Sequence, residues 1–229
     1  MSVFQINPAH RPYVKWLGNH EVPLFCIDDV FLDPDGVRRR AFGGEFPTSE
    51  AYYPGRHQPL VSSEAGVGDF CAFIAGLLSR ATGKTVRAAA IATDFSILTT
   101  PEKDLLARQG QPHIDGTPML GVIYLNNGDY GGTVFFRNRT TGSMRVVTPS
   151  EREHYAKISK GQLEVEREVR FIVDSDTDWE KVDAVDGIKN RLVIWPGNVF
   201  HSVEVKVPPE KGALSEKRLT QRVIINHID

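Results

Sequence analysis

The sequence predicts a mainly β chain with flanking helices, its core an antiparallel barrel or jelly roll. Three observations lead there. From Lys84 onward, six short apolar stretches alternate with Gly, Pro and Asn punctuation, the mark of consecutive short strands joined by turns. Before them, one segment carries apolar residues at helical spacing, as a helix packed on a sheet does. A composition of 41% hydrophobic and 24% charged residues over 229 positions provides one sizeable core and excludes wholesale disorder. We expect one domain over 1–229, with strand and helical support over 1–83 and the β core over about 84–229.

The elements follow in order. Leu24 to Phe31 is a short apolar strand, and Asp33-Pro34 then offers a helix N-cap followed by Pro at the first helical position. Ala51-Tyr52-Tyr53-Pro54-Gly55-Arg56 is a Pro-Gly turn. Val67, Phe70, Phe73, Ile74, Leu77 and Leu78 recur at helical spacing, with Asp69 early, Arg80 late and Gly83 beyond, as the helix dipole and a C-cap require. Strands are predicted at Val86–Leu98, Met119–Asn126, Thr133–Arg137, Arg191–Trp195, His201–Val207 and Arg218–Asn226. Thr148-Pro149-Ser150-Glu151 has the capping-box pattern of a short helix. The charge-dense stretch Glu164–Asp183 reads as a solvated part of an insertion over about 138–187, which could cover substrate.

Composition narrows the partners. With 27 Lys+Arg against 29 Asp+Glu, the formal charge of −2 supplies no reason to expect nucleic acid or a membrane surface. Cys26 and Cys71 form no disulfide framework and no Cys-based metal motif. The longest apolar run, Phe70 to Leu78, is half a membrane span, and Met1 to Trp16 holds no apolar signal core. A cytoplasmic protein is the expectation.

The chemistry concentrates in three residues. His113 and Asp115 are two apart, so in an extended chain their side chains project from one face. His201 shares a strand face with Val203, Val205 and Val207, which turns its imidazole inward. Two histidines and one carboxylate make the facial triad of non-heme Fe(II) sites, which leaves three adjacent coordination positions for a chelating 2-oxo acid and O2. The neutral imidazoles and single carboxylate leave net positive charge that still attracts a dianion. Arg218, Thr220 and Arg222 share one face of the last strand, and a guanidinium facing a barrel interior calls for an anionic partner that it can clamp bidentately. The spacing leaves either Arg218 or Arg222 as that clamp.

The ordered set His113-x-Asp115, Tyr124-Leu125-Asn126, Gly131-Gly132-Thr133, Arg191-Leu192-Val193, His201, Arg218-x-Thr220 resembles the Fe(II)/2-oxoglutarate-dependent dioxygenase superfamily, in its prolyl-4-hydroxylase-like branch. The resemblance covers about Pro112 to Asn226. It implies a double-stranded β-helix, iron held by His113, Asp115 and His201, and the distal carboxylate of 2-oxoglutarate held by Arg218 with help from Thr220 and the Tyr124 phenol. Two spacings depart from the branch: the 17 residues from His201 to Arg218, taken up by an enlarged turn at Pro208–Gly212, and the 88 from His113 to His201, taken up by the charged insertion. The whole chain also resembles a bacterial family of unassigned function that shares the Tyr-Pro-Gly element and the Asn-Arg-Leu-Val strand.

The function expected is thus hydroxylation of a small molecule, amino acid or peptide by O2 with 2-oxoglutarate as co-substrate. Alternatives are a cupin-like metal enzyme without 2-oxoglutarate and a non-catalytic jelly-roll binding protein. Tyr124 can equally be a packed strand aromatic. Tyr53 and Arg56 are candidate substrate contacts. His10, His20, His57, His154 and His227 read as surface or packing residues.

Overall fold

A computed structural model of the chain describes residues 2–48, 53–164, 168–210 and 212–229. Ten strands and three α-helices build it among those residues: β1 (Arg11–Leu17), β2 (Val22–Asp28), α1 (Pro34–Phe42), β3 (Gly55–Leu60), α2 (Val67–Thr82), β4 (Ile91–Leu98), β5 (Met119–Tyr124), β6 (Thr133–Asn138), α3 (Pro149–Glu164), β7 (Trp179–Val185), β8 (Leu192–Pro196), β9 (His201–Val203) and β10 (Leu219–Ile225). The strands form two antiparallel sheets, a seven-stranded one ordered β1-β2-β8-β5-β10-β4-β3 and a three-stranded one ordered β7-β6-β9. Together they make the predicted jelly-roll core.

Period-two alternation sorts the large sheet's side chains into two compartments. Ile123 on β5, Leu192 and Ile194 on β8, and Leu219, Val223 and Ile225 on β10 meet Val37 and Ala41 of α1 and Phe70, Ile74 and Leu78 of α2. The opposite face sends Leu120, Val122 and Tyr124, with Val193 and Trp195, toward Phe135 of the small sheet. The expected start of α1 and end of α2 are both formed. Asp33 accepts a hydrogen bond from Gly36 N at 2.8 Å at the start of α1, and Gly83, in the left-handed region at φ 70°, closes α2 by donating to Ser79 O.

Several boundaries depart from the sequence expectation. The expected strand Val86–Leu98 begins only at Ile91, after a single 3-10 turn over Ala88–Ala90. β9 stops at Val203 instead of Val207, because Glu204 N and Lys206 N are taken by the Gly132 and Tyr130 carbonyls across a loop. β1 carried no signal, since six of its seven residues keep solvent access and an edge strand needs no alternation. The Pro-Gly turn leads directly into β3; residues 51 and 52 of that turn lie outside the described residues, as does residue 211 of the Pro208–Gly212 turn.

The charged stretch before the second histidine is the main correction. Residues 165–167 lie outside the described residues, but beyond them the chain is not a solvated excursion. Phe171, Ile172 and Trp179 are buried, and β7 pairs along β6 from Asn138↔Trp179 to Thr133↔Val185, with a bulge between Phe135 and Phe136. An edge strand presents alternate residues to water, so Glu180 and Asp183 supply charge while Trp179 fills the core against Phe136 and Phe200. The short helix expected after Thr148 extends to Glu164; its capping box is formed, Glu151 Oε2 accepting from Val147 N and Thr148 N at 2.8 Å each.

Trp179→Ala tests this correction. Loss of a buried indole packed against Phe136 and Phe200 is expected to cost about 3 kcal/mol or more in urea unfolding, whereas a solvated insertion would register only a few tenths.

Candidate metal centre and its cavity

Backbone pairing brings the three candidate ligands together. His113 N donates to His201 O and His201 N to His113 O, each at 3.0 Å, a single bridge that extends the small sheet past β9. The two imidazoles therefore stand side by side with ring centroids 4.6 Å apart. Asp115 N donates to Gly197 O at 2.7 Å, which holds the second residue of the His-x-Asp arm against the Pro196-Gly197 turn. One donor atom from each of His113, Asp115 and His201 lies within 4.8 Å of the others.

Hydrogen bonds set which atoms are offered. His201 Nδ1 lies 2.9 Å from Val199 O and His113 Nδ1 lies 3.2 Å from Gln111 O, so each ring donates from Nδ1 and presents an Nε2 lone pair. His201 Nε2 is 3.3 Å from Asp115 Oδ2, a buried oxygen that accepts no hydrogen bond. Burial, and next the neighbouring His113, push the His201 pKa down to about 4 against the pull of Asp115, so the ring is neutral near pH 7. Trp195 at 5.0 Å and Phe135 at 6.5 Å wedge the His201 ring in place. Two facing lone-pair donors with an unpartnered carboxylate oxygen suit a divalent transition metal and leave the buried oxygen unsatisfied without one.

The triad borders a cavity of about 760 Å³ between the sheets. Arg218, Thr220 and Arg222 all line it, as the alternation of β10 predicted, but their states differ. Arg222 is spent: its Nε bonds Asp94 Oδ1 at 2.8 Å and its Nη2 reaches Asp94 Oδ2. Arg218 is buried, its Nη2 donating to Gly132 O at 2.9 Å and its Nε to Gly131 O at 3.4 Å, with the Tyr53 phenol close beside the guanidinium. Among the described residues no carboxylate comes within ion-pairing distance of it. The two glycines let this segment run against neighbouring backbone, since a Cβ on Gly131 would strike Glu204 O and one on Gly132 would strike Val185 O. Asn126 of the Tyr-Leu-Asn segment clamps the chain on either side of Arg218, accepting from Leu219 N at 2.7 Å and donating to Lys217 O at 2.8 Å.

Tyr124 sits behind this wall. Its hydroxyl is engaged with Thr133 Oγ1 at 2.8 Å, its ring lies 5.7 Å from the Arg218 guanidinium carbon, and burial pushes its pKa up to about 12. Tyr53, by contrast, lines the cavity. Its buried hydroxyl makes no hydrogen bond, and burial raises its pKa although Arg218 and Arg222 pull it down. Trp195 Nε1 is a second buried donor without a partner on the same cavity. His57, expected to be a surface or packing residue, also lines it: Nδ1 meets Ser96 Oγ at 2.7 Å beside Asp94. The strand Gly55–Leu60 was invisible in the sequence, and with it the reason for His57 to face inward. Arg56 points to solvent on the alternate face.

An antiparallel jelly roll with a two-histidine, one-carboxylate constellation opening on an interior cavity is the class that fold and site define. The chain belongs to a family of unknown function, DUF6445, whose model matches residues 8–226. Its structure is similar to the crystal structure of a Pseudomonas putida prolyl-4-hydroxylase, at 16% identity over 89% of this chain and 91% of that one, with a TM-score of 0.42. A search of curated proteins found no match. Among the described residues, no helix is long and apolar enough to cross a membrane.

His57 makes stability pH-dependent in a definite direction. Burial, and then Arg222, lower its pKa from 6.5 to about 4 against the pull of Asp94. The unfolded chain therefore takes up this proton before the folded one does, and the contribution present above pH 6.5 is lost as pH falls toward 4. In urea unfolding of metal-free protein, wild type is expected to lose more stability than His57→Gln between pH 7 and pH 4, by up to about 3 kcal/mol. A smaller loss in wild type contradicts a neutral His57.

Proposed function

We propose that the protein is an Fe(II)- and 2-oxoglutarate-dependent oxygenase that hydroxylates a small molecule. The observation that carries this reading is a pair of needs within one cavity: three metal-donor atoms converge at its wall, and the buried Arg218 guanidinium lines it without an anion. A ligand that satisfies both has a metal-chelating end and a carboxylate at the other, which is the form of 2-oxoglutarate. When bound at His113, Asp115 and His201, Fe(II) supplies activation of O2, coupled to decarboxylation of 2-oxoglutarate to succinate and to oxidation of a C–H bond.

The chain's residues then divide the work. His113 and His201 bind through Nε2 while Gln111 O and Val199 O hold their rings; Asp115 contributes the anionic donor. Arg218 holds the distal carboxylate, with the Thr220 hydroxyl beside it on the same strand face. Asp94 neutralises Arg222 and so removes it as the clamp. Tyr53 takes the part that the resemblance assigned to Tyr124, since its hydroxyl lines the cavity unpartnered while that of Tyr124 is bound to Thr133. Trp195, Phe135 and Val122 exclude water from the buried side of the triad.

Anaerobic titration with Fe(II) and 2-oxoglutarate is expected to produce the visible charge-transfer absorption of the chelate. Its absence at saturating concentrations of both rejects the reading in favour of a metal site without 2-oxoglutarate. His113→Ala and Asp115→Ala are each expected to lose bound iron by elemental analysis, and unchanged iron in both contradicts the ligand assignment. Arg218→Ala is expected to weaken 2-oxoglutarate at least tenfold by isothermal titration while Fe(II) binding stays intact. Arg222→Ala affects folding stability first, because it strands Asp94 in a buried site.

A further inference from the structure

The metal centre and the Arg218 subsite leave one polar network on the large sheet unused. Period two turns His57 of β3, Asp94 and Ser96 of β4, and Thr220 and Arg222 of β10 to the cavity side. Register makes them neighbours. Ser96 is opposed to His57 on one side and to Thr220 on the other, and Asp94 is opposed to Arg222. Of these, His57, Ser96, Thr220 and Arg222 line the cavity. The same face of β5 and β8 carries Leu120, Val122, Val193 and Trp195, so the network interrupts an otherwise apolar wall. Polar side chains are costly to bury, and a fold keeps them where a network of partners satisfies them.

Hydrogen bonds within the network fix what each group still offers. Arg222 gives Nε and Nη2 to the two oxygens of Asp94. Ser96 Oγ donates its one hydrogen to Asp94 Oδ1 at 3.3 Å, so His57 Nδ1, 2.7 Å from Ser96 Oγ, is the donor in that contact. The ring proton therefore sits on Nδ1, and Nε2 keeps a lone pair. Burial, and then Arg222, hold this imidazole neutral near pH 7. Tyr53 packs against it with ring centroids 4.8 Å apart. Among the described residues, His57 Nε2, an acceptor, and Arg222 Nη1, a donor, have no hydrogen-bond partner. Both groups gather on one atom, Asp94 Oδ1, which is 2.8 Å from Arg222 Nε and 3.7 Å from His57 Nδ1. Asp94 cancels the charge of Arg222, so the pair meets the cavity as an uncharged donor and acceptor. Asp115 lies within electrostatic reach of Arg222, which sets the pair beside the metal centre.

We propose that His57 and Arg222 form the substrate subsite, and that the molecule oxidised here presents to them a carboxamide, an uncharged group that both donates and accepts hydrogen bonds. The inference rests on the oxygenase reading and adds the substrate's recognition group to it. A carboxamide matches the pattern atom for atom: its N–H donates to His57 Nε2 and its carbonyl accepts from Arg222 Nη1. A carboxylate turns its second oxygen on the His57 lone pair. A hydrocarbon leaves both protein atoms desolvated and unpaired, which is how a site built for hydrogen bonding rejects an analogue that lacks the group. The rings of Tyr53 and Trp195, with Leu120 and Val122, supply apolar wall for the rest of the molecule.

Trp179 and Trp195 line the cavity, so tryptophan fluorescence reports its occupancy. The test titrates three probes of one shape into the full chain, loaded with Mn(II) and saturating 2-oxoglutarate so that the Arg218 subsite is filled. They are benzamide, acetophenone, which lacks the N–H, and benzoate, which lacks it and is charged. Benzamide is expected to bind about tenfold tighter than either of the others. His57→Phe is expected to erase that preference, lowering benzamide affinity about tenfold and leaving acetophenone unchanged. Ser96→Ala keeps the ring but releases its tautomer, and is expected to narrow the preference; a purely structural role for either residue would move both probes together. Equal binding of benzamide and acetophenone, or a preference that both variants retain, overturns the proposal. So does tighter binding of benzoate, which reads the wall as cationic. A His57→Phe protein that binds the probes normally and takes up 2-oxoglutarate more weakly also overturns it, because the imidazole then belongs to the co-substrate pocket. The same titration without Mn(II) and 2-oxoglutarate separates the two claims. A benzamide preference that depends on His57 in a protein unable to take up metal and 2-oxoglutarate sinks the oxygenase reading and leaves the subsite standing. Normal uptake of both with no preference for benzamide sinks the subsite alone.

Discussion

The reciprocal backbone hydrogen bonds between His113 and His201 are what the rest of the site depends on. They join residues 88 positions apart in the chain into directly opposed partners on one sheet edge. Opposed residues of an antiparallel pair point their side chains to the same face, so the pairing alone sets the two imidazoles next to each other. Asp115 follows because period two returns it to the face of His113, and the Gly197 carbonyl holds it there. Everything outward from that bridge is support: Trp195 and Phe135 lock one ring, and Phe200 and Ile114 seat α3 on the two arms.

Electrostatics inside the cavity follow from which charges the fold neutralises itself. Arg222 and Asp94 are cross-strand partners on β10 and β4, and their bidentate pair closes within the protein. Arg218 lies outside the β10 ladder, opposite the Gly131-Gly132 carbonyls, where the chain runs too close for any side chain. Dipoles of two carbonyls orient a guanidinium without cancelling its charge, so Arg218 remains a buried cation on the cavity lining. Asp115 Oδ2, Tyr53 Oη and Trp195 Nε1, on residues that line the same cavity, are also buried without a hydrogen-bond partner. Native proteins satisfy nearly all buried polar groups, and three of the six exceptions among the described residues belong to residues that line this cavity.

Much of the core and of the candidate site was legible because its signals are local. Strands β5, β6, β8 and β10 show apolar residues and turn punctuation, and α1 and α2 show caps and a 3.6-residue stripe. The His-x-Asp spacing and the alternation of β10 gave the inward residues directly. What stayed hidden has physical causes. β1 and β7 are edge strands whose exposed faces tolerate charge, so Glu180, Lys181 and Asp183 masked a strand anchored by Trp179. β3 contains a Pro and a Gly and pairs on one side only, which erased its period and with it the inward position of His57.

The amino-acid order by itself determined which residues alternate, where helices start and stop, and that two histidines, one aspartate and two arginines face inward. Those are consequences of backbone period and capping chemistry, which act over a few residues. The tertiary structure decided what equivalent residues meet: Arg222 is paired with Asp94 while Arg218 is not, Tyr53 rather than Tyr124 lines the cavity, and α3 packs on Phe200 beside His201. Each turns on which distant group stands opposite, Asp94, Thr133 or Phe200. Such neighbours are chosen when strands from separate parts of the chain pair and burial forces every polar group to find a partner, a condition that no local pattern encodes.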